Sequence, residues 1–131
     1  MDDVVIIGGG IIGTATAYFL SKEGRKVKVI ERDPTYQIAS FPLSLGGFRR
    51  QFFQKENILL GKFAREFILN LPKHLKTKKN PNPTASMVPN GYLLMFGPDK
   101  AKEQYKALEN HKECNAGTKN IKGSELKNIF P

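Results

Sequence analysis

The feature that most constrains this 131-residue chain is a cluster of glycines directly after a short apolar run near its beginning. Val4-Val5-Ile6-Ile7 is uncharged and rich in β-branched residues, which predicts a strand buried on both faces. The segment Gly8-Gly9-Gly10-Ile11-Ile12-Gly13 follows at once. Each glycine costs a helix interior roughly 1 kcal/mol against alanine, so this segment favours a turn. The uncharged stretch 4–21 is therefore not expected to be a transmembrane segment, for which it is also short.

The residues after the glycines predict a helix and then a second strand. Ile11 to Glu23 combines small and apolar side chains that suit a helix packed closely on a sheet, and Gly24 suits its end. Val27 and Val29 then alternate with lysines up to Glu31, as in a strand. Strand, turn, helix and strand within about 30 residues form one βαβ unit. The fold class predicted is α/β, with this unit as the N-terminal, incomplete part of a Rossmann-like FAD/NAD(P)-binding domain.

The glycine segment satisfies the pattern G-x-G-x-x-G in a strand–turn–helix context, which predicts dinucleotide binding. Gly8 permits a tight turn, Gly10 lets the backbone approach a pyrophosphate, and Gly13 lets the helix lie close to the strand. The first-turn amides of that helix lack internal partners and would bind the two phosphates. Glu31, at the end of the second strand, would accept hydrogen bonds from ribose hydroxyls and would repel a 2′-phosphate. The Glu31 carboxylate thus disfavours NADP, and the spacing of the motif leaves FAD and NAD open.

The rest of the chain predicts further helices and a domain boundary. The predicted elements are an amphipathic helix over Asn57–Leu71 closed by Pro72, an exposed connection over Lys73–Pro83, a strand over Gly91–Phe96, and helices over Pro98–Lys112 and from Ser124 to Ile129. The exposed connection is the natural place for a domain boundary, which we therefore place near residue 80.

Composition excludes several classes of function. The net charge of +9 arises in residues 36–131, but the basic residues are scattered and accompany no nucleic-acid motif, so no nucleic-acid partner is expected. The single Cys114 excludes a disulfide framework, and with only His74 and His111 beside it no zinc or other metal site is predicted. His74, among lysines, is expected to be solvated, and His111 to favour a helix end. No acid–base pair or nucleophile stands out, so the catalytic residues stay unknown.

Beyond these patterns, the sequence resembles a known family. The segments Asp3–Gly13, Glu31-Arg32-Asp33 and Ser44-Leu45-Gly46-Gly47-Phe48-Arg49 resemble FAD-dependent oxidoreductases of the D-amino-acid oxidase and sarcosine oxidase superfamily. The later segments Gly91-Tyr92-Leu93-Leu94 and Ile129-Phe130-Pro131 are also similar to that superfamily. The resemblance implies FAD as the cofactor. It implies that Gly8, Gly10, Gly13 and the amides of Ile11 and Ile12 hold the pyrophosphate, that Glu31 and Arg32 line the ribose, and that Ser44, Gly46, Gly47 and Arg49 lie near the flavin.

The resemblance also implies a reaction, a location and a partner. Such enzymes transfer a hydride to the flavin from the carbon next to the nitrogen of a small-molecule amine or N-methyl amino acid. The branch of the superfamily most like this chain is mitochondrial and linked to respiratory complex I assembly. Asp2 and Asp3 stand where a secretory signal peptide would be basic, so secretion is not expected, and the sequence shows no Arg-rich amphipathic leader that would serve as an organelle address. A non-catalytic flavin-fold assembly factor and an NAD-dependent dehydrogenase remain alternatives. The superfamily's chains are much longer, so the resemblance implies that residues 1–80 are the N-terminal part of an FAD-binding domain and that residues 81–131 begin a second, α+β substrate domain that is truncated here. We therefore expect an N-terminal fragment that holds little flavin by itself and is inactive.

Overall fold

The computed structural model describes residues 3–129, so the expectations on Asp2, Phe130 and Pro131 lie outside the described residues. The chain divides into two units, residues 1–47 and 48–131. The first contains β1 (Val4–Ile7), α1 (Ile11–Lys22) and β2 (Val27–Ile30). The second contains α2 (Lys55–Leu69), α3 (Leu71–Leu75), a 3₁₀ turn (Pro98–Lys100), α4 (Ala101–Glu113) and α5 (Gly123–Ile129).

The first unit is the predicted βαβ unit. β1 and β2 pair in parallel, with Val4 opposite Val27 and Ile7 opposite Ile30. α1 connects the two strands, and Gly24 follows the end of this helix. Gly24 has a φ of +79°, which glycine adopts without strain. Its amide donates to the Ser21 carbonyl oxygen, 3.0 Å away, which closes the helix. The chain is thus a mixed α/β structure compatible with part of a Rossmann-like FAD-binding domain.

The prediction that β1 is buried on both faces is wrong for this chain. Its side chains alternate between half-buried and exposed along the strand. Val5 and Ile7 are 53% and 88% exposed, and Ile30, opposite Ile7 on β2, is 51% exposed. Within the described part of this unit α1 covers one face of the sheet, and these three side chains occupy the other. We call Val5, Ile7 and Ile30 the open sheet face.

The core of the second unit lies where α2 meets the end of α4. Ile58 is fully buried, and Cys114 and Ala116 are buried against it, with Phe52 packed on the group. Gly61 is also buried, and a β-carbon there would stand 3.2 Å from the Arg49 carbonyl oxygen. A glycine in α2 therefore lets the segment before that helix lie close against it.

The structure corrects the predicted elements at two places. Pro72 lies in the first turn of α3, where proline is tolerated because no amide is needed, and α2 has already ended at Leu69. The predicted strand over Gly91–Phe96 does not form among the described residues, where no segment pairs with it. A strand needs a hydrogen-bonding neighbour, and the side-chain amide of Gln51 donates instead to the Tyr92 carbonyl oxygen at 3.2 Å.

Both sides of the domain boundary predicted at residue 80 belong to one structural unit, since α2 and α4 pack together. The division of the whole protein at residue 80 stays a prediction. None of the described helices is both long enough and apolar enough to cross a membrane.

Candidate functional site

The corner between β1 and α1 depends on the backbone of Gly8. Gly8 has a φ of +99°, which side chains of L-residues disfavour, and its amide donates to the Ile30 carbonyl oxygen at 2.8 Å. The corner is thereby fixed to the end of β2. The tight turn expected at Gly8 is present.

Gly13 and Gly10 differ in what a side chain would meet. A β-carbon on Gly13 would overlap the Gly8 carbonyl oxygen and approach Ile6 Cγ2 to 3.3 Å, so α1 can lie this close to β1 only with glycine there. A β-carbon on Gly10 would meet nothing within 4 Å. Gly13 is therefore needed by the fold itself, whereas Gly10 borders open space.

The start of α1 offers amides toward that space. Gly10 is the N-cap residue and gives the helix no side-chain cap, and its first turn holds no acidic residue. Ile11 and Ile12 are exposed, at 53% and 81%. The amides of residues 11 to 13 precede the first intrahelical donor, Thr14, whose amide bonds the Gly10 carbonyl oxygen at 2.9 Å. Uncapped amides beside open space fit a diphosphate, which supplies negative charge and acceptor oxygens.

Glu31 lies directly at the glycine corner. Its Oε2 accepts a hydrogen bond from the Gly9 amide at 2.5 Å, and its Oε1 accepts one from the Asp33 amide at 2.9 Å. The Asp33 amide, and then the Gly9 amide, lower the pKa of the Glu31 carboxyl below its ordinary value. The group is therefore an anion at neutral pH, with lone pairs left to accept from ribose hydroxyls.

Tyr36 is a residue at this corner to which the sequence patterns assign no role. Its hydroxyl oxygen lies 2.8 Å from the point where a β-carbon on Gly9 would stand, and Glu31 Cβ lies 3.3 Å from the same point. Tyr36 has a φ of +58°, a left-handed conformation that costs an L-residue roughly 1–2 kcal/mol. Neither the glycine pattern nor helical periodicity contains a signal for such a contact.

The remaining predicted cofactor residues are Arg32, Ser44, Gly46, Gly47 and Arg49, and the backbone of Arg32 also helps to lower the pKa of the Glu31 carboxyl. Arg32 is exposed beside Glu31. Ser44 and Gly46 form a turn, in which the Gly46 amide donates to Ser44 Oγ at 3.1 Å, and Gly47 ends the first unit. Arg49 belongs to the second unit, with its guanidinium carbon 5.2 Å from the centre of the Phe52 ring. The cofactor roles of all these residues stay predictions.

Each of the two histidines packs against another part of the second unit. His111 is only 8% exposed, and its Nε2 lies 2.8 Å from the Phe52 carbonyl oxygen, while Asn110 donates to Phe53 oxygen at 2.7 Å. His111 lies in the last turn of α4, at the helix end where it was expected, and there it makes a buried contact with the segment before α2. His74, expected to be solvated, is half-buried and stacks on Phe67 with ring centres 4.4 Å apart. Among residues 3–129 no three His, Cys, Asp or Glu side chains gather as metal ligands would.

Comparison with known proteins gives a consistent result. Residues 3–131 match the DAO family model, described as FAD dependent oxidoreductase. The FAD-dependent oxidoreductase domain-containing protein 1 of Xenopus laevis is 39% identical over 98% of this chain and 27% of its own length. Its Bos taurus counterpart is 34% identical over 98% of this chain and 28% of its own. Squalene monooxygenase SE2 of Panax ginseng is 53% identical over 36% of this chain and 9% of its own length.

The chain spans about a quarter of the length of the first two relatives, 27% and 28%. No solved structure matches it. The family match confirms the resemblance seen in the sequence and the assignment of FAD as the family's cofactor.

Proposed function

The chain belongs to the DAO family of FAD-dependent oxidoreductases, and from this premise we propose that it forms the FAD-binding part of an enzyme that oxidises a small amine or an N-methyl amino acid. FAD, when bound, supplies the acceptor for a hydride from the carbon next to the substrate nitrogen. The chain's own residues bind and orient that cofactor. The reaction of the whole protein is part of the proposal, because the chain covers only 27% of its Xenopus laevis relative.

The observation that carries the proposal is the contact between Gly9 and Glu31. The 2.5 Å hydrogen bond from the Gly9 amide to Glu31 Oε2 puts an anionic acceptor beside uncapped helix amides. A dinucleotide needs these two kinds of group side by side, since its ribose donates hydrogen bonds and its pyrophosphate accepts them. Gly8, Gly10, Gly13 and the amides of Ile11 and Ile12 hold the pyrophosphate in this proposal, and Glu31 with Arg32 binds the ribose.

At the other end of the cofactor, we assign the segment Ser44-Leu45-Gly46-Gly47 to the flavin ring. Leu45 is fully exposed and Gly46 has a φ of +63°, so this turn presents backbone and one apolar side chain to its surroundings. Arg49, in the second unit, is exposed, and its guanidinium is suited to pair with a substrate carboxylate. The Phe52 ring beneath it restricts the guanidinium through a cation–π contact.

The test uses the intact protein reconstituted with FAD and mixed without oxygen with N-methylglycine, a D-amino acid, or a simple alkylamine. Loss of the oxidised flavin's visible absorbance with any of them supports the enzyme. Arg49→Gln should raise KM for the two carboxylate substrates and leave that of the alkylamine unchanged. Arg65→Gln, in α2 and paired with Glu66 at 2.8 Å, is the matched control. A protein that binds FAD, yet is reduced by none of these compounds, would contradict amine oxidation.

A second proposal, a non-catalytic assembly factor, rests on charge. Residues 1–35 carry equal numbers of basic and acidic side chains, so the net charge of +9 belongs to residues 36–131. Such a surface attracts acidic partners. In this proposal the protein is mitochondrial and binds complex I assembly intermediates. Bound flavin that is inert to amines, together with co-purification of complex I subunits from mitochondria, would support it, whereas a cytosolic location would refute it.

A further inference from the structure

The residue at the glycine corner that the proposed function leaves unused is Tyr36. It lies in the loop after β2, on the same side of the corner as the Glu31 carboxylate. Its hydroxyl oxygen and Glu31 Oε2 lie 2.8 and 3.4 Å from one point, the position of a β-carbon on Gly9. A phenol hydroxyl and a carboxylate therefore stand together beside the glycine backbone.

The loop holds Tyr36 there against its backbone preference. The Tyr36 amide donates to the Asp33 carbonyl oxygen at 3.1 Å, and the Tyr36 carbonyl accepts from Ala39 at 3.1 Å. Asp33 Oδ1 in turn accepts from the Thr35 amide and hydroxyl at 3.0 and 2.6 Å. Hydrogen bonds on both sides thus stabilise the left-handed φ of +58°. Backbone conformations of this kind persist where surrounding contacts fix them, and they are frequent at ligand sites.

The two side chains are chemically complementary to a ribose. Each ribose hydroxyl both donates and accepts, whereas a carboxylate only accepts. Glu31 already accepts one backbone amide on each oxygen, from Gly9 and Asp33, so it offers further lone pairs and no donor. The Tyr36 hydroxyl supplies the donor that is otherwise missing. Tyr36 is also 39% exposed, which leaves part of its ring open to a flat ligand.

We propose that Tyr36 is a further binding residue of the nucleotide site, where its hydroxyl pairs with Glu31 to bind the ribose of the adenosine and its ring borders the adenine. This inference rests on the proposed binding of FAD at the glycine corner. It assigns Tyr36 to the adenosine end, so Tyr36 contributes equally to binding of FAD and of any ligand that contains adenosine diphosphate. It also explains why residue 9 is glycine, since a side chain there would displace the Tyr36 hydroxyl.

The experiment measures dissociation constants of the intact apoprotein for FAD and for ADP by calorimetry. Tyr36→Phe removes only the hydroxyl, and one lost hydrogen bond should weaken both ligands about fivefold. Tyr36→Asn also removes the ring but tolerates a positive φ, and both ligands should weaken about tenfold or more. Tyr105→Phe, at an exposed position of α4, is the matched control and should change neither. Thermal melting of each apoprotein reports whether a variant is folded.

A second pair of variants tests the placement without depending on a single substitution. Gly9→Ala should weaken ADP binding, because the new β-carbon displaces the Tyr36 hydroxyl, and adding Tyr36→Phe to it should weaken ADP binding little further, because both changes remove the same hydrogen bond. Unchanged ADP and FAD affinity in a folded Tyr36→Asn protein would overturn this inference alone. Weakened FAD binding with unchanged ADP binding would overturn it too, by moving Tyr36 to the flavin end. A wild-type apoprotein with no affinity for FAD would overturn the proposed function instead.

Discussion

The contrast between Gly10 and Gly13 gives the sharpest prediction about the glycine corner. Gly10→Ala places its β-carbon in open space, at a φ of −64° and ψ of −176° that alanine adopts readily. Replacing glycine by alanine at such a position gains about 0.4–1 kcal/mol through the unfolded state. Alanine is a poorer N-cap than glycine by an amount of the same order, about 0.5–1 kcal/mol. The two effects offset each other, so stability should change by less than about 0.5 kcal/mol.

Gly13→Ala has the opposite consequence. Alanine gains about 1 kcal/mol in helix propensity. Its β-carbon, however, overlaps the Gly8 carbonyl oxygen, a backbone atom that cannot rotate away, and contacts Ile6. Overpacking of this kind typically costs about 1–3 kcal/mol, and the upper part of that range applies to a backbone atom. We expect a net loss of about 1–2 kcal/mol, seen as a lower melting temperature of the apoprotein.

Cofactor affinity should separate the two variants further. In Gly10→Ala the new methyl group occupies the space assigned to the pyrophosphate, so the dissociation constant for FAD should rise at least about tenfold, equivalent to about 1.4 kcal/mol. The assay is a titration of apoprotein with FAD, alongside thermal melting in its absence. If Gly10→Ala melts as early as Gly13→Ala, the packing contrast between the two positions is incorrect. If Gly10→Ala binds FAD as tightly as the wild type, the assigned diphosphate position is incorrect.

Three further predictions concern stability and its dependence on pH. Ile58→Ala should lower the free energy of unfolding by about 2–5 kcal/mol because Ile58 is fully buried, whereas Leu60→Ala, 65% exposed in the same helix, should change it little; urea unfolding compares them, and equal effects would contradict the described core. The lowered pKa of Glu31 means that its stabilising contribution is present above the unfolded-state pKa and is lost as pH falls through the folded-state pKa. Melting temperatures of wild type and Glu31→Gln should therefore differ at neutral pH and converge in acid, and a constant difference would exclude the carboxylate as the cause. The Glu113 carboxylate raises the pKa of Lys55, so the contribution of this exposed pair is present below the unfolded-state pKa of lysine and is lost as pH rises through the raised one. Glu113→Gln should remove that alkaline dependence, and its effect should vanish in high salt, where a persistent effect would indicate contacts other than charge.

The βαβ unit could be predicted from the sequence because its boundaries are local. The strand of β-branched residues ends where Gly8 takes a positive φ, and the helix ends where Gly24 does so. Each boundary is a property of one residue and its neighbours. The proximity of Glu31 to the corner follows equally directly, since a parallel return of the chain brings the carboxyl ends of β1 and β2 together.

The features that could not be predicted depend on partners distant in sequence or on an individual turn. Gly91–Phe96 has a strand-like composition but forms no strand, because composition does not supply a neighbouring strand. His111 is buried, and its ring contacts the carbonyl oxygen of Phe52, which lies 59 positions earlier in the sequence. The periodicity of the helix does not indicate such a contact. Tyr36 lies at Gly9 with a left-handed φ of +58°, and tyrosine is not a residue that predicts such a conformation.

The open sheet face affects the tendency of this polypeptide to self-associate. Val5, Ile7 and Ile30 lie on a two-stranded sheet whose outer backbone groups have no strand neighbours among the described residues. Apolar side chains on strands that have an unpaired edge form a template onto which another extended chain can add. A freshly synthesised copy should therefore self-associate through β1 and β2 as its concentration rises. Ile7→Lys should suppress that association, which light scattering would detect.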